Sequence, residues 1–130
     1  MLIAHEAETY EGVPAHQLDI LYHWGLSVEM DSERAVLPLA DLIIDALIGY
    51  SLQGAPSGQF AQLICRANLH AAPVLSLDIP SGVEATSGAT FKPHIQATAT
   101  PTLALPKTGL LTDEGRPCVG ELYLADIERD

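Results

Sequence analysis

Two short apolar segments, each carrying one aspartate, constrain the fold of this 130-residue chain most strongly. The first covers residues 42–48 and contains Asp45, and the second covers residues 74–79 and contains Asp78. Nearly continuous apolar runs are typical of strands that are covered on both faces. Between them, residues 60–68 repeat apolar side chains at the spacing of one helix face. This order of strand, helix and strand predicts a βαβ unit and therefore a parallel sheet with helices on its faces.

The rest of the chain continues the alternation, and its length suits a single domain over residues 1–130. The other predicted elements are a helix over residues 14–24 capped by Gly25, a short strand over 26–30, a polar connector over 31–38, a β-prone segment over 95–105 that Pro101 interrupts, and a last strand over 122–125.

Charge and composition exclude several classes of partner. The formal net charge is -11, with only six lysines and arginines, so no basic face is expected for nucleic acid or for an anionic membrane. No apolar run approaches the roughly 20 residues that span a bilayer. The first residues lack the basic region of a secretory signal. Cys65 and Cys118 lie far apart and are interpreted as reduced thiols, so we expect a cytoplasmic protein.

Candidate functional residues lie where the two apolar segments end. Ligands of open parallel sheets bind beyond the carboxyl ends of the strands, which here are residues 45–54 and 78–82. An aspartate in an apolar strand needs a partner. Asp45 and Asp78 could each bind a cation, hydrogen-bond a neighbouring loop or cap a helix. Hard cations prefer oxygen ligands, which both segments offer.

Two loops carry further candidates. The glycines of residues 49–54 allow the backbone to approach a ligand closely, but Ala55 stands where a Walker loop requires lysine. Lys107, one of two lysines, lies in a loop containing proline and glycine. It could reach an anionic ligand as a point charge, or it could lie in solvent.

Four segments in order resemble one known family. They are DLIIDALIG at residues 41–49, followed by Gly54, APVLSLDIPSG at 72–82, PKTGLL at 106–111 and GELYLADI at 120–127. Together they are similar to motifs of the YjeF N-terminal domain family, the NAD(P)H-hydrate epimerases. The resemblance covers about residues 41–127, and residues 1–40 fit it more loosely.

The resemblance implies a fold, a reaction and a site. The fold would be a Rossmann-like three-layer αβα arrangement with a mostly parallel sheet. The reaction would interconvert the R and S forms of hydrated NADH or NADPH, so that a companion dehydratase can repair the S form. Asp45 and Ser81 would bind a potassium ion, and Asp78 would contact the substrate. The segment cradling the substrate would comprise Gly49, Tyr50, Ser51, Leu52, Gln53, Gly54 and Ala55.

Asp78 is also the candidate catalytic residue. Epimerisation requires proton transfer at the hydroxyl-bearing carbon of the hydrated nicotinamide, and a positioned carboxylate is a suitable general acid and base. Lys107 could assist electrostatically.

The sequence departs from the family in three respects that bear on activity. Ser57-Gly58 stands where members often have Arg-Gly, and Ser51 stands where glycine is commoner. The third departure is the most serious. Family domains are considerably longer, and their earlier half holds an asparagine-rich and glycine-rich phosphate loop. The only asparagine of this chain is Asn68, in a predicted helix. The sequence therefore predicts an N-terminally truncated domain, whose uncovered sheet edge and apolar face favour self-association into a homo-oligomer. The alternative function is a non-catalytic binding or dimerisation module, or an inactive remnant of the family.

Overall fold

Parallel strand pairing dominates both units of the structure, a computed structural model in which residues 1–30 and 36–127 are described. The two units are Met1–Ala35 and Val36–Asp130. Most of the predicted connector over residues 31–38 lies outside the described residues. The single domain expected from chain length stays a prediction.

The first unit is a small strand–helix–strand arrangement. Strands β1 (Leu2–Ile3) and β2 (Glu29–Met30) pair in parallel. Between them lie a 3-10 turn (Ala7–Thr9) and helix α1 (Gly12–His23). Helix α1 confirms the prediction for residues 14–24. The backbone N–H of Gly25, which has a φ of 76°, donates to Tyr22 O at 2.9 Å and so closes the helix as expected.

The second unit contains a four-stranded parallel sheet. Its strands lie in the order β3-β4-β5-β6, which is also their order along the chain. Its elements are β3 (Ile43–Asp45), α2 (Gly58–Leu69), β4 (Val74–Ser76), β5 (Ala99–Leu103), a 3-10 turn (Thr108–Leu111), α3 (Arg116–Val119) and β6 (Glu121–Ala125). These parallel sheets with helices confirm the predicted Rossmann-like α/β class.

Two apolar clusters form the core of this unit. Helix α2 buries Leu63, Ile64 and Ala67, the face predicted from their spacing. One cluster contains Ile64, Ala67, Val74 and Ile95, and the other contains Ile79, Val83, Ala85, Leu110, Cys118 and Val119. Cys118 and the exposed Cys65 are both free thiols, as expected, and burial raises the pKa of the Cys118 thiol.

The prediction that the segment of residues 42–48 is covered on both faces is wrong. Only residues 43–45 form strand β3, which is an edge strand of the four-stranded sheet. Side chains alternate between the two faces of a strand. Asp45 is buried, whereas the Ile44 side chain on the opposite face is 58% exposed.

Pro101 lies inside β5 and does not interrupt it, contrary to prediction. Its carbonyl accepts a hydrogen bond from the Asp78 N–H at 2.9 Å, so this side of Pro101 faces the segment that follows β4. Because strand β4 has already ended at Ser76, the missing N–H of Pro101 removes no hydrogen bond from the ladder between β4 and β5.

No helix in the described ranges has both the length and the apolar character needed to cross a membrane.

Candidate functional site

The carboxyl ends of three neighbouring strands bring the candidate residues to one edge of the sheet. Asp45 ends β3 and lies in register with Ser76, which ends β4. Asp78 follows two residues later, and β5 ends at Leu103. Because the strands are parallel, their ends meet at the same edge, as the sequence predicts.

Asp45 is a buried carboxylate that accepts four hydrogen bonds. Its Oδ1 accepts from Ser81 Oγ at 2.6 Å and from the Leu47 N–H at 3.3 Å. Its Oδ2 accepts from Ser76 Oγ at 2.7 Å and from the Ser81 N–H at 2.9 Å. With 3% of its surface exposed, Asp45 thus has the partners that a buried charge requires. The sequence left three roles open for Asp45: binding a cation, hydrogen-bonding a neighbouring loop or capping a helix. The structure contains the hydrogen bonds to a neighbouring loop.

Ser81 connects Asp45 to the start of the predicted substrate loop. Its hydroxyl is fully buried and accepts a hydrogen bond from the Ile48 N–H at 2.9 Å. Ile48 immediately precedes the segment of residues 49–55. The position of this segment is therefore tied to the turn that follows β4.

The donor set around Asp45 does not fit a potassium ion as it stands. A carboxylate offers about four lone-pair positions, and protein donors take up all four. The Ser81 hydroxyl donates its proton to Asp45 and accepts a hydrogen bond from the Ile48 N–H, which leaves one lone pair on its oxygen. An ion would have to replace at least one of these donors, so no step of the chemistry is assigned to it, and the ion stays a prediction.

Asp78 presents a partly open carboxylate of a different kind. Its Oδ1 accepts from the Leu103 N–H at 2.9 Å and from Thr102 Oγ1 at 3.1 Å, and it also contacts the Lys107 ammonium. Within the described residues, no hydrogen bond reaches Oδ2. One oxygen is thus anchored to β5 and the loop after it, and the other accepts no hydrogen bond within the described residues, on a side chain that is 24% exposed.

The environment of Asp78 favours its ionised form. Partial burial by itself would raise its pKa, but the hydrogen bonds from Leu103 and Lys107 and the charge of the ammonium outweigh this effect. The pKa of Asp78 therefore lies below its ordinary value of 3.8. At neutral pH the group is a carboxylate, which suits a base that accepts a proton first and returns it later.

Lys107 lies in the site and not in solvent. Its side chain is 19% exposed, and its ammonium pairs with Asp78 while donating to Leu103 O at 3.0 Å. The anionic group that it reaches in the structure is therefore the carboxylate of Asp78. The alternatives left open by the sequence were that Lys107 reaches a bound anionic ligand or that it lies in solvent.

The predicted substrate segment borders an open groove of about 320 Å³. Gly49 and Ser51 to Ala55 line it, together with Phe60 of α2. Asp78, Asp45 and Ser81 are not among the lining residues. Tyr50 is 70% exposed and also lies outside the lining. The structure thus gathers most of the segment around one groove that Ser81 ties to the sheet edge.

Comparison with known proteins identifies the family. The sequence profile of the YjeF-related protein N-terminus matches residues 1–109. The chain belongs to this family.

Curated relatives of this YjeF-type domain bear names that describe one chemistry. A protein of Dehalogenimonas lykanthroporepellens, named NAD(P)H-hydrate epimerase, is 51% identical over 88% of this chain and 45% of its own length. A Limosilactobacillus fermentum protein of the same name is 37% identical over 76% of this chain and 48% of its own. The bifunctional NAD(P)H-hydrate repair enzyme of Escherichia coli is 44% identical over 78% of this chain and 20% of its own. This YjeF-type domain thus spans about half the length, or less, of these relatives.

Two glycines of the resembling motifs allow close approaches that shape the site. Gly82 has a φ of 96°, and a Cβ there would lie 2.6 Å from the Cβ of His94. At Gly109 a Cβ would lie 2.3 Å from the carbonyl oxygen of Glu84. The first glycine permits the turn after Ser81, and the second lets the loop that follows Lys107 pack on the segment after that turn.

Sequence reasoning missed Ser76 and Thr102 as members of the site. Ser76 is fully buried and donates to Asp45, and Thr102 is fully buried and donates to Asp78. The signal for Ser76 was its hydroxyl inside an otherwise apolar strand. Thr102 gave no such signal, because threonine is common in strands.

Proposed function

We propose that this chain carries the catalytic aspartate of an NAD(P)H-hydrate epimerase. The enzyme would interconvert the R and S forms of hydrated NADH or NADPH. The observation that carries the proposal is the Asp78 carboxylate, with Oδ1 held by three donors and Oδ2 without a hydrogen bond in the described part of the chain. The names of the relatives support the same chemistry.

The chemistry assigned to Asp78 is proton transfer. Its Oδ2 accepts the proton of the hydroxyl group while the bond between the hydroxyl-bearing carbon and the ring nitrogen breaks, giving an open-chain aldehyde whose electron pair passes through the nitrogen to the conjugated carboxamide. After rotation turns the other face of the aldehyde to the nitrogen, the carbon–nitrogen bond forms again and the carboxyl group returns the proton to the oxygen, so the carboxylate ends each turnover in its starting state. An ionised group is needed for the first half of this cycle, and the lowered pKa of Asp78 supplies it. Residues 49–55 would hold the nucleotide part of the substrate in the groove that they border.

Several associated roles belong to the same proposal. A dehydratase would use the S form, in keeping with the name of the bifunctional relatives. The two free thiols favour a cytoplasmic setting. The exposed side chains of Ile44 in edge strand β3 and of Leu42 just before it favour self-association into a homo-oligomer.

The potassium ion that the resemblance implies has a test of its own. Thermal melts in potassium and in sodium at equal ionic strength should differ if Asp45 and Ser81 take part in ion binding after rearrangement. Equal melting temperatures, at concentrations where the substrate raises stability, would remove the ion from the proposal.

The direct test of the proposed function starts from one purified epimer of hydrated NADPH. The chain is added, and the other epimer is followed by chromatography against the spontaneous rate. Accelerated approach to the equilibrium mixture is the expected result. A substrate-induced rise in melting temperature without acceleration would instead favour the non-catalytic binding module, and the epimerase proposal would fail.

A further inference from the structure

A closed ring of polar contacts joins Oδ1 of Asp78, the backbone of Leu103 and the ammonium of Lys107. The Leu103 N–H donates to Asp78 Oδ1 at 2.9 Å, and the Leu103 carbonyl accepts from Lys107 Nζ at 3.0 Å. The ammonium of Lys107 completes the ring by contacting the same Oδ1. Both backbone groups of one residue, at the end of β5, therefore hold the two members of the ion pair.

Two residues at this ring have strained backbone conformations. Asp78 has a φ of 69° and Ala104 a φ of 59°, and these are the two non-glycine residues with positive φ in the described ranges. One carries the carboxylate, and the other follows the residue that binds both charges. Such backbone positions concentrate at functional sites, where the surrounding contacts maintain them.

The ring also determines which carboxylate oxygen faces a ligand. Oδ1 accepts from Thr102, Leu103 and Lys107, whereas no described residue donates to Oδ2. Among the described residues, Lys107 is the one charged side chain that contacts Asp78. Its side chain is four-fifths buried, which limits screening of the pair by solvent.

We propose that Lys107 is the positioning residue of Asp78, keeping Oδ1 occupied so that Oδ2 alone meets the substrate. This inference rests on the proposed epimerase function. Lys107 acts through the carboxylate and does not touch the reacting centre. Its removal should therefore change turnover and pH dependence much more than substrate affinity.

The test replaces Lys107 and compares the two lysines of the chain. In Lys107→Met the charge is lost and most of the side-chain volume is kept. We expect kcat to fall on the order of 100-fold, as for a misplaced catalytic group, with KM little changed. The acid limb of the pH–rate profile should move to higher pH. The matched control is Lys92→Met at the exposed second lysine, which should behave like the wild type.

A conservative variant keeps the test decisive if Lys107→Met does not fold. Lys107→Arg retains the charge, so its acid limb should stay in place and its kcat should remain within about tenfold of the wild type. A Lys107→Met variant with the kcat and pH profile of Lys92→Met would overturn the inference. A Lys107→Arg profile displaced to higher pH would also overturn it.

A measurement without substrate separates this inference from the proposed function. The carboxyl carbon of Asp78 is titrated by NMR in the wild type and in the two Lys107 variants. We expect the titration to move to higher pH in Lys107→Met and to stay in place in Lys107→Arg. If the wild type does not interconvert the epimers, the proposed function fails. An unmoved titration in a folded Lys107→Met variant would then overturn the pairing role separately.

Discussion

Asp45 and Ser81 lie 36 positions apart in the sequence and are joined by two hydrogen bonds. The Ser81 hydroxyl donates to Oδ1 at 2.6 Å and the Ser81 N–H to Oδ2 at 2.9 Å. One buried carboxylate therefore fixes the end of β3 against the turn after β4. Together with the Ser81–Ile48 contact, it holds the base of the candidate substrate loop.

This arrangement predicts that Asp45→Asn destabilises the fold. The amide NH₂ would face donors, and the N–H groups of Leu47 and Ser81 cannot reverse their direction. We expect the free energy of unfolding to fall by about 2 kcal/mol, measured by denaturant titration. The matched control is Asp41→Asn, the same chemical change at an exposed position, which should stay within about 0.5 kcal/mol of the wild type. Equal stability of the two variants would contradict the role given to Asp45.

Gly82→Ala should be destabilising for steric reasons. Its φ of 96° disfavours any side chain, and the added Cβ would lie within 2.8 Å of His94 Cβ, His94 Cα and Pro93 O. We expect a loss of about 3 kcal/mol in the free energy of unfolding. Gly49→Ala is the control, because no heavy atom lies within 4 Å of its added Cβ, and it should shift stability by less than about 1 kcal/mol. A Gly82→Ala variant as stable as Gly49→Ala would mean that this turn is not closely packed.

The lowered pKa of Asp78 predicts how stability depends on pH. The fold favours its ionised form, so the stabilisation is complete above the ordinary pKa of 3.8 and is lost as the pH falls through the lower pKa of the folded state. Asp78→Asn should therefore lose less stability than the wild type on acidification below pH 3.8. Asp113→Asn, at an exposed carboxylate, should keep the wild-type slope. The same slope in Asp78→Asn and the wild type would contradict the pairing with Lys107 and Leu103.

Local periodicity made part of this fold predictable. Helices α1 and α2 and strand β6 lie where the sequence places them, because the apolar pattern and capping residues of each are contained in the element itself. The strand lengths and the place of Pro101 could not be obtained in this way. Pro101 fits inside β5 because β4 ends beside it, and that depends on the register between two strands.

The candidate site, like the fold, could be predicted from the sequence only in part. The two aspartates and their shared sheet edge could be predicted, since carboxyl ends of parallel strands meet. The side chains that bind the two aspartates could not be predicted. Ser76 reaches Asp45 across 31 positions and Lys107 reaches Asp78 across 29, through the pairing of strands and the fold of a loop. The sequence supplied the charged residues, and the tertiary arrangement determined which groups they contact.

The most direct measurement of the central claim is the epimerisation rate of Asp78→Asn beside that of Asp113→Asn. One purified epimer of hydrated NADPH is supplied to each variant, and kcat and KM are determined separately. We predict that kcat of Asp78→Asn falls by at least about 100-fold with KM nearly unchanged, because general acid–base groups contribute about that much or more. Asp113→Asn should match the wild type. An Asp78→Asn variant that turns over at the wild-type rate would contradict the claim that the free oxygen of Asp78 carries out the proton transfer.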